Sequence, residues 1–409
     1  MQKKVKKIVL AYSGGLDSSV ILHWLRQRYD CTVIAFAGNV GQQSELDGIK
    51  KKALASGAAK CIVSDLRREL VENYLWALLQ SGAVYENGYL LGTSIARPIV
   101  AQEQVRIAHA EGADAVAHGA TGKGNDQVRF ELTYLALDPT LKIIAPWKDP
   151  VFCSEITSRE AAVDYAKRHG IPIRQSKKSI YSRDRNIWHI SHEGADLEEP
   201  AHEPLDSLFT MSKPISKTPD KPTYIELAFE KGIPIKLNGK KLTAVRLLEE
   251  LNRLGGRHGV GQVDLVENRV VGMKSRGVYE TPGGTILCTA HRALETLCLD
   301  RDTAHYKQQA ALRYAELVYD GRWFTPLREA LEAFFESTQQ NVTGTVRLKL
   351  FKGHCTPAGV RSPYSLYAAN LASFTMGTEY DITDATGFIR LFGLPLKVQA
   401  LKKKSKIRR

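Results

Sequence analysis

The first apolar run, residues 7–12, stops at a pair of glycines. The apolar positions beyond it, Val20, Ile21, Trp24 and Leu25, recur at helical spacing. Residues 31–37 form a second buried-strand candidate. A helix is predicted over 45–57 with Gly57 as its C-cap, then a strand at 60–64 and a helix over 65–80. A helix over 96–112 accommodates Pro98 in its first turn. Strands at 113–117 and 142–145 and a helix over 158–170 complete the series. Strands alternating with helices predict a parallel sheet covered on both faces. Ligands of such sheets bind at the carboxyl ends of the strands, in the loops that open the helices.

The pattern changes after about residue 172. Segment 173–222 is rich in Lys, Pro, Ser, His and Glu and has little periodicity. Strands follow at 223–229 and 235–237, a helix at 244–255, and Gly-rich turns at 255–261 and 283–284. Helices recur within 289–319 and over 326–338, and Val346, Leu348 and Leu350 alternate in a strand at 342–353. There is no internal repeat of fixed period. The expected organisation is α/β: a parallel-sheet nucleotide-binding domain at 1–172, an α+β domain at 173–362, and a C-terminal arm at 363–409.

Composition narrows the function classes. The 409 residues are 43% hydrophobic and 25% charged, ordinary for a soluble globular protein, and no stretch approaches a membrane span. The lysine-flanked start resembles a signal peptide, but its apolar run ends too soon and reads as a first strand. The six cysteines form no C-x-x-C pair and fit a reducing, cytoplasmic setting. A net charge of +13 suggests nucleic acid, yet ten of the positive residues lie at the two ends. Without them 47 basic residues face 44 acidic ones, so the body is close to neutral and the basic ends read as solvated tails. This argues against both nucleic acid and membrane as partners.

The chemistry begins at AYSGGLDSS, residues 11–19. A strand, then Ser-Gly-Gly-Leu-Asp-Ser-Ser, then a helix makes an anion cradle. Glycines let the backbone approach a ligand, and the helix start offers unpaired N–H groups and partial positive charge. Ser13, Ser18 and Ser19 add hydroxyls, so the loop suits a phosphate or pyrophosphate. No Lys follows the glycines, so it is not a P-loop, and it is not a G-x-G-x-x-G fingerprint. A carboxylate, Asp17, makes sense beside phosphates if it helps to hold Mg²⁺. A second constellation, HGATGKGNDQVRFE at 118–131, also follows a predicted strand. There Asn125 and Arg129 share a helix face, an amide and a guanidinium placed to grip a polar zwitterion. His118, at the strand end, reads as structural.

SGGLDSS resembles the pyrophosphate-binding loop of the N-type ATP pyrophosphatases, which have an adenine nucleotide α-hydrolase-like fold. The segment at 118–131 is similar to argininosuccinate synthases, as are YLLGTSIARP, IAPWKDP, GRHGVGQVDLVENRVVGMKSRGVYETP, ELVYDGRWFTPLREAL, VTGTVRLKLFKG and SPYSLY, in that order, from about residue 7 to 397. The resemblance implies a ligase that joins citrulline to aspartate, consumes ATP with Mg²⁺, and releases AMP and pyrophosphate. It implies that Ala11, Tyr12, Ser13, Gly14, Gly15, Leu16, Asp17, Ser18, Ser19, Ala37 and Gly119 hold ATP, with Asp17 and Ser18 catalytic. Tyr89, Ser94, Asn125, Arg129, Ser182, Ser191, Glu267 and Tyr279 would hold citrulline, and Thr121, Asn125 and Asp126 aspartate. It also implies a homotetramer built through the arm. Three features depart from the family pattern: His192, the Gln42-Gln43-Ser44 stretch and the basic tail. The rival readings are a tRNA-modifying ATP pyrophosphatase, which the cysteine spacing disfavours, and a non-catalytic nucleotide-binding module, which would not need the second half.

Overall fold

The computed structural model describes residues 4–122, 124–172, 181–372 and 381–407. The chain forms two compact units, Met1–Tyr364 and Ser365–Arg409. The first unit opens with β1 (Lys7–Ala11), β2 (Thr32–Asn39), β3 (Lys60–Asp65), β4 (Ala115–Ala117) and β5 (Lys142–Ile144). These five strands pair in parallel in the order β3-β2-β1-β4-β5. β1 and β2 are buried along nearly their whole length, because a parallel sheet is covered on both faces. Successive residues of β1 therefore serve opposite layers. Ile8 and Leu10 pack with the helices Leu16–Tyr29 and Arg159–Arg168, and Val9 packs with the helix Gly92–Glu111. The strand order reverses direction between β1 and β4. Gln104 bridges that seam, its side-chain amide donating to the Val9 and Ala117 carbonyls at 2.8 Å each.

The second half contributes β6 (Ser182–Arg185), β7 (Ile190–Glu193), β8 (Thr223–Glu230), β9 (Ile233–Leu237), β10 (Lys240–Lys241), β11 (Gln262–Asn268), β12 (Lys274–Glu280), β13 (Gly344–Phe351) and β14 (His354–Arg361). They form two antiparallel sheets, β10-β9-β8-β13-β14 and β11-β12-β7-β6. One continuous core runs from Val9 and Phe36 of the parallel sheet through Leu248, Leu287 and Tyr314 to Leu348 of β13. β8 and β13 alternate buried and exposed positions, the mark of sheets with one covered face. The arm unit contains the helices Ala369–Ala372, Asp384–Phe392 and Leu394–Ile407.

Several expectations are corrected. The predicted helix 45–57 is a short 3-10 turn, Gln43–Leu46, and a helix Ile49–Ala55, because Gly48 takes a left-handed conformation between them. The helix expected over 65–80 contains a π-helical stretch, Leu70–Leu75. The helix expected from 96 begins at Gly92, so Pro98 lies in its interior rather than its first turn. A Cβ on residue 92 would stand 2.2 Å from the His189 ring, so this unfavourable helix former occurs where a ring packs on the backbone. The helix expected from 289 starts at Pro282, a favourable first-turn position. Strands β6, β7, β10, β11, β12 and β14 were not anticipated, and β6 and β7 lie in the stretch with little periodicity. Residues 173–180, at the expected domain boundary, lie outside the described residues.

Leu348 is fully buried in this core. Leu348→Ala should lower stability by about 2–5 kcal/mol, seen as a lower denaturant midpoint with an unchanged slope.

Candidate active site

The loop Tyr12–Gly15 leaves β1 and turns into the helix Leu16–Tyr29. Gly14 holds φ +75°, a left-handed turn that favours glycine, and the Lys52 ammonium donates to its carbonyl. The helix cap residue, Gly15, caps with no side-chain hydrogen bond, so first-turn amides stay available for an anion. Hydroxyls brace the loop from within. Ser19 Oγ donates to the Gly15 carbonyl at 2.8 Å and meets Tyr12 Oη at 2.9 Å, both side chains being buried. Ser13 and Ser18 meet at 3.2 Å.

A pocket of about 340 Å³ opens beside this loop, at the seam between β1 and β4. Ala11, Tyr12, Ser13, Asp17, Ser18, Ala37 and Gly119 line it, seven of the eleven residues expected to hold ATP. Gly14, Gly15, Leu16 and Ser19 shape the turn without lining the cavity. Gly119 is placed where a Cβ would come 3.1 Å from Ile21. Asp17 stands exposed at the mouth, yet neighbouring atoms crowd it enough that desolvation raises its pKa, opposed by Arg159.

A second pocket of about 440 Å³ lies alongside and shares Ser13, Arg97, Gly119, Asp126, Arg183 and Asp184 with the first. Tyr89, Thr121, Asn125, Arg129, Ser182, Ser191, Glu267 and Tyr279 also line it. Of the residues expected to bind the amino acids, only Ser94 does not reach the cavity. It is fully buried behind Tyr89, with the two hydroxyls 3.5 Å apart. Four arginines and four carboxylates face this pocket, a balance that suits zwitterions rather than a strongly charged ligand.

Much of the polar lining is already committed to holding the site in shape. Asn125 donates to Tyr319 Oη at 2.9 Å and accepts from the Val270 amide at 3.0 Å. Arg129 donates to the Tyr319 carbonyl at 2.9 Å and pairs with Asp126 at 3.0 Å. Arg97 lies between Asp126 and Asp184, at 2.8 and 2.9 Å. Burial favours a protonated Asp126, but Arg97 and Arg129 outweigh it and hold its pKa below the usual range. Glu193 pairs with Arg269 at 2.5 Å; burial raises its pKa and Arg269 offsets part of that. Glu267 is different. It is 6% exposed, its Oε2 has no hydrogen-bond partner, and burial pushes its pKa up to about 7 despite Arg129. Such a carboxylate is ready to receive a cationic group.

His118 is structural, as expected. It is fully buried, lies 3.0 Å from Glu131 and stacks on Phe130. Sequence reasoning missed Arg97, Arg183, Asp184, Glu193, Arg269 and Tyr319. Arg97 and Tyr319 fall inside the family-like segments YLLGTSIARP and ELVYDGRWFTPLREAL, but no local spacing marks them. Arg183, Asp184, Glu193 and Arg269 lie on or directly after β6, β7 and β11, strands that the sequence pattern does not display.

Comparison with known proteins decides the family. The Arginosuccinate synthase N-terminal HUP domain matches residues 7–172, and the Arginosuccinate synthase C-terminal domain matches residues 181–399. The chain belongs to the argininosuccinate synthase family. Argininosuccinate synthase of Desulforamulus reducens is 61% identical over 398 residues, covering 97% of this chain and 98% of that protein. Those of a Roseiflexus species and of Moorella thermoacetica are each 60% identical, over 402 and 396 residues, covering 98% and 97% of this chain and 98% and 96% of theirs. The family catalyses the ATP-dependent ligation of citrulline and aspartate in arginine biosynthesis, and the expectation of such a ligase is borne out. Among the described residues no helix is long and apolar enough to cross a membrane.

The left-handed turn gives a direct check on the cradle. Gly14→Ala would place a Cβ at φ +75° and 3.3 Å from Ile49. It should cost about 1–2 kcal/mol and weaken ATP binding, measured by denaturant unfolding and by calorimetry.

Proposed function

We propose that the first pocket holds ATP, with its phosphates on the Ser13–Ser18 turn, and that the second pocket holds citrulline and aspartate. The observation that carries this reading is the shared wall of the two pockets, which brings Ser13 of the phosphate loop to the edge of the zwitterion cavity. Ala11, Tyr12 and Ala37 line the nucleotide side, and Gly14, Gly15, Leu16 and Ser19 keep the helix amides presented. Tyr89, Ser94, Asn125, Arg129, Ser182, Ser191, Glu267 and Tyr279 form the citrulline side, and Thr121, Asn125 and Asp126 the aspartate side. Glu267 Oε2 faces the citrulline ammonium and Arg129 its carboxylate.

The chemistry follows from this placement. The ureido oxygen of citrulline attacks the α-phosphorus, the bond to the β-phosphate oxygen breaks, and pyrophosphate departs into the loop. The aspartate α-amine then attacks the activated carbon, AMP leaves with the oxygen, and the amine loses its proton. The loop amides and the Ser13 and Ser18 hydroxyls meet charge on the departing pyrophosphate. The rest of the site holds three reactants in register. Mg²⁺ fits beside Asp17: one exposed carboxylate near two hydroxyls is the sparse donor set of an ion bound mainly by phosphates and water. When bound it would neutralise phosphate charge.

Other features support the wider reading. We place the nucleotide-binding domain at 1–172, the synthetase domain at 173–362 and the arm at 363–409. The arm exposes Phe388, Ile389, Leu391 and Phe392, an apolar series that fits self-association into a homotetramer. Six unpaired cysteines fit a reducing cytoplasm.

Purified protein with labelled ATP tests the reaction. Pyrophosphate release should require citrulline, and argininosuccinate should form only when aspartate is added; release that needs tRNA instead would overturn the reading. Asp17→Asn should cut release by about a hundredfold or more without changing the melting temperature. Glu267 generates a pH dependence. Its folded pKa lies above the ordinary 4.5, so in the free enzyme it lowers stability as pH rises from the unfolded value through about 7. Its ionised form, which an ammonium needs, is complete only above that pH. Citrulline affinity should therefore rise about tenfold from pH 6 to pH 8. Glu267→Gln should bind weakly with a flat profile, measured by calorimetry.

A further inference from the structure

His189 stands just before β7 and is fully buried. Its ring packs beside Tyr89 and Tyr279, which line the second pocket, with ring centres 6.1 and 6.0 Å away. Burial pushes its pKa down to about 4, against Asp184 and with the help of Arg97, so the ring is neutral and carries one hydrogen. Nε2 lies 3.0 Å from Thr93 Oγ1, and Nδ1 has no hydrogen-bond partner among the described residues. The Gly92 backbone closes that side of the ring, since a Cβ on residue 92 would stand 2.6 Å from Nδ1. A hydrogen on Nδ1 would be a buried N–H without an acceptor, the rarer defect in folded proteins. The hydrogen therefore sits on Nε2, and Thr93 Oγ1 accepts it.

The consequence appears in the second pocket, which Thr93 lines from the first turn of the helix Gly92–Glu111. Holding the His189 hydrogen, the Thr93 hydroxyl turns its own hydrogen away from the ring. Tyr89 is committed in the same sense. Its oxygen accepts from the Thr93 amide at 2.9 Å and the Ser94 amide at 3.4 Å, N–H groups that a helix start leaves unpaired. Its phenolic hydrogen is then left for a ligand. Burial raises the pKa of Tyr89; Arg129 opposes it most, and the Ser94 and Thr93 hydroxyls add to that opposition. The Tyr89 and Thr93 hydroxyls thus share one corner with the Arg129 guanidinium, which lines the same cavity. Two O–H donors beside a guanidinium suit a carboxylate, whose oxygens only accept and whose charge strengthens each bond.

We propose that the Thr93 hydroxyl binds the citrulline carboxylate beside Tyr89 and Arg129, with His189 as the positioning residue that turns the hydroxyl hydrogen toward the ligand. This deepens the assignment of citrulline to the second pocket and rests on it. Calorimetry of citrulline on the full-length protein tests it. Thr93→Val keeps the side-chain shape without the hydroxyl and should weaken citrulline about ten- to a hundredfold, the loss of one hydrogen bond to a charged group. ATP affinity should not change. Thr93→Ser should bind within about twofold of the wild type, because it restores the hydroxyl. Thr93→Val also leaves the His189 hydrogen without an acceptor, so its melting temperature should fall, which is read separately from binding. Aminobutylurea, which is citrulline without its carboxylate, should bind Thr93→Val and the wild type equally. His189→Leu removes the donor and should weaken citrulline about threefold to tenfold, whereas His189→Gln keeps a donor at the place of Nε2 and should recover most of it. In the Thr93→Val background His189→Leu should add no further loss, because the two act through one group.

Thr93→Val binding citrulline as the wild type does would overturn the proposal. So would an equal loss for citrulline and aminobutylurea, which marks a distorted pocket rather than a lost carboxylate contact. If His189→Leu does not fold, the comparison of Thr93→Val with Thr93→Ser still decides the role of the hydroxyl. A wild-type protein that binds no citrulline would overturn the assignment of the pocket itself, an outcome distinct from any variant result.

Discussion

The ionic bridge Asp126–Arg97–Asp184 is the constraint on which the site depends. Arg97 comes from the helix that covers one face of the parallel sheet, Asp126 from the first turn of the helix Asp126–Leu137, and Asp184 from β6 of the second half. Removing Arg97 would leave Asp184 a partly buried charge without its ion-pair partner, which costs more than the intact bridge contributes. The bridge thus sets where the second half stands against the first. It also forms part of the shared wall of the two pockets, so the same contact that orders the fold shapes both cavities.

Around it the site separates duties. The phosphate loop offers backbone amides and small hydroxyls, with its bulkier members turned inward to brace the turn. The second pocket pairs most of its charges internally. Preorganised charges of this kind need little rearrangement when a charged transition state forms, which is where such an environment acts most strongly. Glu267 stands apart, with one buried oxygen unpartnered. Its discomfort in the free enzyme becomes selectivity for a ligand that brings its own cation.

The core explains why the two halves behave as one unit in spite of their different sheets. Val9 and Phe36 on the parallel side and Leu348 on the antiparallel side belong to a single apolar cluster. The helix Gly92–Glu111 is the hinge of this arrangement, packed on the parallel sheet through Ile95 and Ile99 while Gly92 accepts the His189 ring from the second half. A helix start with a glycine and an internal proline is locally unfavourable, and tertiary packing overrides that preference.

The alternation of apolar strands with amphipathic helices was readable in the first half because a parallel strand buried on both faces shows as an unbroken apolar run. SGGLDSS and the 118–131 segment were readable because a phosphate cradle and a helix opening are local arrangements whose residues must be adjacent in the chain. The second half was less legible. β6, β7, β11 and β12 form a sheet whose polar residues line the site, so Ser182, Ser191, Glu193 and Glu267 break the alternation that would mark a strand. The sequence by itself determined the nucleotide fold, the loop chemistry and the family, since each rests on contiguous residues. Only the tertiary structure decided that Arg97 is spent on two carboxylates and that one buried oxygen of Glu267 has no hydrogen-bond partner, because groups far apart in the chain settle their pairing only when the halves meet.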